Sequence, residues 1–170
     1  CDIWKVQRQQ ARAFFKGYGM DVSTYEDYRE MLDKEDANID AVIVATPDWM
    51  HCEHPCYCLR KGKHVYCEKE MSNKLEEAAE MCRVQRETGK LLQIGHQRRS
   101  NPRYRHCFEH IVPEMLGRVT TAYAQWNRTL APFFSVKRPP KQSILTKYGY
   151  ENAEQYLNWR WFHKYGGGSM

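Results

Sequence analysis

"IDAVIVATP", residues 39–47, carries an apolar run from Ala41 to Ala45 that is closed by Thr46 and Pro47. So short and apolar a run suits a strand covered on both faces, as in a parallel sheet. Downstream, residues 48–61 read as a helix stopped by Gly62, and "HVYC" (64–67) reads as the next strand. "NKLEEAAEMCRVQRETG" (73–89) follows as a second helix. Asn73 and Glu76 have the spacing of a capping box, Leu75, Ala78, Ala79 and Cys82 supply an apolar stripe, and Gly89 ends it. "LLQIG" (91–95) is a third strand. Upstream, residues 6–16 predict a helix ending at Gly17 and Gly19. Residues 25–34 predict another, with Tyr25, Tyr28 and Leu32 on one face. Strands alternating with helices through short connections predict a doubly wound parallel sheet with right-handed crossovers.

The pattern changes after residue 98. Asn101 and Pro102 can open a helix reaching about Ile111. "RVTTAYAQWN" (118–127) alternates, with Val119, Thr121, Tyr123 and Gln125 on one face, and predicts a half-exposed strand of a different sheet. Residues 128–150 read as irregular, and the aromatic segment "YLNWRWFHKYGGG" follows. The expected organisation is an α/β unit over 1–98 and the start of a second, α+β domain over 99–170.

The hydrophobic fraction of 42% and aromatic fraction of 13% suit a packed globular chain rather than a disordered one. No apolar run approaches the roughly 20 residues that cross a bilayer, so no membrane role is expected. The opening "CDIWKVQRQQ" lacks the apolar centre of a secretory signal. Net charge is +5, yet only "GHQRRSNPRYRH" (95–106) is densely basic, so nucleic acid is not the expected partner. Seven cysteines make an odd count without a paired framework. "HCEHPCYC" (51–58) invites a metal reading, but no second half of a zinc site accompanies it. Buried free thiols in a reducing, cytoplasmic setting are the preferred reading, and no metal is expected.

"IDAVIVATPDWMH", "GKHVYCEKE", "LLQIGHQRRSNPRY" and "NWRWFHKYGGG" together, in this order, resemble the Gfo/Idh/MocA family of NAD(P)-dependent oxidoreductases. The resemblance covers nearly the whole chain. It implies an incomplete Rossmann-type sheet followed by the start of a substrate domain. The family's opening strand and GxGxxG turn have no counterpart here, and the Asp and His that follow its glycines are also missing. The chain therefore reads as an internal piece of a longer enzyme, expected to be poorly stable and inactive alone. The tail "GGGSM" also fits an expression scar.

The resemblance supplies site residues. Asp2 would accept hydrogen bonds from the adenosine ribose and repel the extra phosphate of NADP; alternatively it caps the following helix. Thr46, Pro47 and Asp48 would line the nicotinamide ribose at the carboxyl edge of the sheet, or simply form a strand-to-helix turn. His51 would orient that loop. Lys69 is the expected catalytic residue, a cation beside the nicotinamide and the substrate oxygen, and Glu68 would bind ribose or hold the amine. Glu70 stands where the family has Pro; its charge favours the ammonium form of Lys69 and puts the lysine's acid–base role in doubt. Arg98 would bind cofactor and Arg99 substrate, with Asn101 in the same loop; a solvated basic loop is the alternative. Trp159, Arg160 and Trp161 would wall a sugar pocket, or belong to the second domain's core.

The expected function is hydride transfer between NAD, or NADP, and a sugar or polyol hydroxyl, by a protein that is a homo-oligomer when complete. The alternatives are a glycosidase using tightly held NAD and a non-catalytic nucleotide-binding sensor.

Overall fold

The computed structural model describes residues 1–125, 127 and 134–167. Trp126, which falls in the expected strand 118–127, lies outside the described residues. So do 128–133 of the expected irregular stretch and 168–170 of the tail.

The predicted strands are present as β1 (Ala41–Val44), β2 (His64–Cys67) and β3 (Leu92–Ile94), all parallel in the order β1-β2-β3. Val42 pairs with Val65 and Val44 with Cys67; Val65 in turn pairs with Leu92 and Cys67 with Ile94. These residues share one face. Two connecting helices, α3 (Glu53–Arg60) and α4 (Leu75–Thr88), cover it with Cys56, Cys58, Leu59, Met81 and Val84. The core is completed by Leu32 of α2 (Tyr28–Lys34). Ahead of these elements runs α1 (Lys5–Gly17). The result is the Rossmann-type parallel sheet that the alternation predicted.

Several details correct the sequence reading. β1 is not covered on both faces: Val44 is buried, but Ile43 is 76% exposed. An apolar run fixes a strand, whereas its cover depends on what packs against each side. The helix expected from 25 starts at Tyr28, because the Asp27 carboxylate accepts the Arg29 N–H and caps it there. The helix expected over 48–61 is split into a 3-10 turn, Asp48–Met50, and α3. Asn73 does not cap α4. Its amide donates to the Tyr165 carbonyl at 2.8 Å, while Ser72 Oγ accepts from Lys74 N and donates to Glu77. The apolar stripe of α4 is rotated as well: Met81 and Val84 are buried, and Leu75 is 81% exposed. Gly89 does end the helix, in the left-handed conformation at φ 65° that suits glycine.

The chain forms two compact units, residues 1–94 with 133–170, and residues 95–132. In the second, Asn101 caps α5 (Pro102–His106) by accepting from Arg103 N, as the sequence predicts. The chain continues through a wide π-helical segment, Cys107–Leu116, that contains Pro113. Residues 118–125 form no strand, contrary to expectation, and Tyr123 is 95% exposed. Alternation specifies a strand only where a neighbouring strand takes up its backbone groups. Among the described residues none lies beside this segment.

In the first unit, the stretch expected to be irregular contains α6 (Gln142–Lys147), followed by α7 (Ala153–Leu157) and α8 (His163–Gly166). Leu145, Tyr150 and Tyr165 form a second core, against which Ile3, Trp49, Tyr156 and Trp159 pack. Tyr150 meets Trp49 and Tyr156 edge-on, with ring centroids 5.9 and 5.1 Å apart. Among the described residues no helix is long and apolar enough to cross a membrane.

Candidate active site

Parallel strands deliver their following turns to one edge, and there open α/β sheets bind ligands. β1 ends in the Thr46–Pro47–Asp48 turn and β2 in the Glu68–Lys69–Glu70 turn. The two are tied together. The Glu68 N–H donates to the Val44 carbonyl at 2.8 Å, continuing the ladder past the end of β2. His51 then bridges the turns, with Nε2 2.8 Å from the Thr46 carbonyl and Nδ1 2.5 Å from the Glu70 carbonyl. The ring is 1% exposed.

A cleft of about 1090 Å³ opens beside the first turn. It brings together Asp2, Thr46, Pro47, Trp159 and Arg160, which are far apart in sequence. Asp2 is half-buried. Its Oδ1 accepts the Trp4 N–H at 2.7 Å, just ahead of α1. Burial pushes its carboxyl pKa up, against the pull of that N–H and of Arg8. A carboxylate has room for further donors after one such bond. Asp48 is also pushed up by burial, with His51, the Trp49 N–H and Arg160 pulling the other way, and its Oδ1 is buried without a hydrogen-bond partner.

Lys69 is exposed and does not line the cleft. Its Nζ lies 2.5 Å from Glu70 Oε1. Glu68 does not hold the amine; its carboxylate accepts the Lys69 N–H at 3.3 Å. Arg160 stacks over Trp159, its guanidinium carbon 4.5 Å from the ring centroid. Trp161 is largely exposed. Arg98 and Arg99 belong to the other compact unit, where both are exposed and Arg98 donates to the Tyr104 hydroxyl at 2.8 Å.

Sequence reasoning missed Trp4, Tyr28, Trp49, His54 and Tyr156 on the cleft wall. His54 Nδ1 lies 3.1 Å from the Thr46 hydroxyl oxygen, within hydrogen-bond distance, and burial lowers its pKa to about 4. In sequence it stands out only as a member of the Cys/His cluster at 51–58. The usable signal is its place on the buried face of α3. Burial likewise raises Cys56 to about 12 and Cys58 to about 11. Among the described residues no group of three or more His, Cys, Asp or Glu is placed to hold a metal ion.

Residues 1–96 match the family model described as an oxidoreductase family with an NAD-binding Rossmann fold, GFO_IDH_MocA. The chain belongs to this family. It is 34% identical over 117 residues to a 1,5-anhydro-D-fructose reductase of Ensifer adhaerens, covering 69% of this chain and 34% of that protein. It is 36% identical over 93 residues to the NADP-dependent scyllo-inositol 2-dehydrogenase IolW of Bacillus subtilis, covering 55% and 26%. Among solved structures, myo-inositol 2-dehydrogenase of Lactobacillus plantarum superposes with a TM-score of 0.61 at 28% identity, over 70% of this chain and 34% of that one. The WlbA dehydrogenase of Bordetella pertussis, crystallised with NADH and UDP-GlcNAcA, gives 0.60 at 26%, over 69% and 32%. The chain thus spans about a quarter to a third of the length of these relatives.

Proposed function

We propose that this family member is part of an NAD-dependent oxidoreductase acting on a sugar or polyol hydroxyl. The observation that carries the reading is the bridge of His51 between the Thr46 turn, on the cleft, and the turn that bears Lys69. It keeps a cation on the turn adjoining a cleft whose wall holds a carboxylate and aromatic faces. That mixture suits a nucleotide, and the cleft, at about 1090 Å³, is slightly larger than the roughly 300–1,000 Å³ usual for ligand sites. A bound nicotinamide supplies the hydride chemistry. Asp2 would hold the adenosine ribose; Thr46, Pro47, Asp48 and Glu68 would hold the nicotinamide end. Lys69 would polarise the substrate oxygen and stabilise the negative charge that forms on it. Trp159 and Arg160 would meet the sugar, the ring of Trp159 covering its apolar face. In this reading residues 1–98 serve the cofactor and 99–170 the substrate, in a protein that forms homo-oligomers.

One observation favours a second, non-catalytic sensing role: Glu70 pairs with the amine that catalysis would use. The two readings separate on turnover. The protein expressed from its complete gene should form NADH with at least one member of a sugar and polyol panel. Binding of NAD without turnover of any member would favour the sensor. Asp2 also predicts NAD over NADP, since a carboxylate at the ribose repels a phosphate. Asp2→Ser should shift the ratio of the two affinities toward NADP by about tenfold, equivalent to about 1.4 kcal/mol. Tighter binding of NADP by the wild type would show Asp2 to be misassigned.

A further inference from the structure

The second compact unit carries two histidines one helical turn apart. His106 closes α5, and His110 lies in the π-helical segment that continues it. The backbone stays helical across the junction, with φ −57° and ψ −46° at His106 and φ −59° and ψ −43° at Cys107. Positions four apart on such a backbone share a face. Both side chains are exposed, so neither ring is fixed in a core. Their centroids lie 4.9 Å apart, with the ring planes tilted by 49°. Imidazole suits divalent zinc, copper and nickel. A metal–nitrogen bond of about 2.0–2.1 Å sets a ring centroid about 3.2 Å from the ion, so two rings on adjacent corners of a tetrahedral or octahedral shell stand about 4.5–5.2 Å apart. The observed spacing falls inside that window. We propose that His106 and His110 together form a surface site for one divalent transition-metal ion, with water completing its shell.

A metal-bound histidine is commonly oriented by a carboxylate at its other ring nitrogen. Glu114, one turn beyond His110, places Oε1 3.8 Å from His110 Nδ1. That leaves Nε2 for the ion and adds a negative charge that attracts it. Of the other charges nearby in sequence, Glu109 is engaged by Arg105 at 3.3 Å, and Arg103 stands one turn before His106, where it works against a cation. Among the described residues no group of three or more His, Cys, Asp or Glu is placed to enclose an ion, so the site is open to solvent and its ion exchangeable. The Cys/His run at 51–58 offers no equivalent, because His51, His54, Cys56 and Cys58 are buried. An ion on His106 and His110 would span the junction of α5 with the π-helical segment and stabilise that stretch by mass action.

The site stands apart from the oxidoreductase reading, so its test reads binding and not turnover. The protein expressed from its complete gene is titrated calorimetrically with Ni²⁺, which does not oxidise thiols, at about pH 8, well above the ordinary histidine value of about 6.5. One ion should bind saturably. His106→Ala and His110→Ala, both at exposed helical positions, should each weaken that binding by about tenfold or more, and Glu114→Gln by about tenfold. In the wild type, the ring signals of His106 and His110 should be the first to broaden as the paramagnetic ion is added. Absence of Ni²⁺ binding, or an unchanged affinity in either histidine variant, overturns the paired site. An unchanged affinity in Glu114→Gln overturns the orienting role of that carboxylate. Circular dichroism checks that the variants keep their helices, and if one does not, broadening centred on other residues of the wild type still overturns the site.

Discussion

The two faces of the three-stranded sheet are built from the same kinds of residue and have opposite fates. On one face Val42, Val44, Val65 and Cys67 lie under α3 and α4 and join the main core. On the other, Ile43 and Tyr66 are exposed. The difference teaches that an apolar strand is defined by its run, while the energy it contributes is defined by its cover. The largest expected effect tests this directly. Leu59→Ala, at a fully buried position of α3 facing the covered side, should cost about 2–5 kcal/mol in urea unfolding. Equal costs for Leu59→Ala and Ile43→Ala would dissolve the distinction between the faces.

The second effect is of similar or smaller size and lies where the covered layer meets the cleft. His54 is neutral in the fold, and its unfolded counterpart takes up a proton near the ordinary value of about 6.5. Between there and about pH 4 the unfolded chain binds the extra proton, so stability rises with pH. The contribution is fully present above about pH 6.5 and is lost as pH falls toward about 4, by up to roughly 3 kcal/mol. Urea midpoints across that window should show the slope in the wild type and a flatter one in His54→Gln. An identical slope in both would place the titration elsewhere. The smallest effect belongs to the uncovered face, where Ile43→Ala should stay within about 0.5 kcal/mol.

Much of the α/β unit was legible in the sequence. Short β-branched or aromatic runs ending in Thr46–Pro47, in the charges at 68–70 and in Gly95 identify β1, β2 and β3, and Gly89 marks the end of α4. Less legible was anything decided by a distant partner. Asn73 has the spacing of a cap, but the Tyr165 carbonyl, 92 residues on, takes its amide. The stripe of α4 shifted because Met81 and Val84 fit the space beneath α3, and Leu75 had no such neighbour. Residues 118–125 alternate as a strand does but have no strand beside them among the described residues. At the candidate site the resemblance pointed to Lys69, and residues 46–48 lie at the sheet edge by pattern alone. Trp49, His54 and Tyr156 were hidden because single aromatic or histidine residues give no periodic signal until the fold gathers them.

The central claim is that the turn carrying Lys69 and the turn carrying Thr46 form one oxidoreductase site. Steady-state NADH formation by the protein of the complete gene, with its best sugar or polyol, tests it through Lys69→Ala. The account predicts a fall in kcat of about 10²–10⁴, the usual worth of a positioned acid–base group, with NAD affinity retained. An unchanged kcat in Lys69→Ala would contradict it.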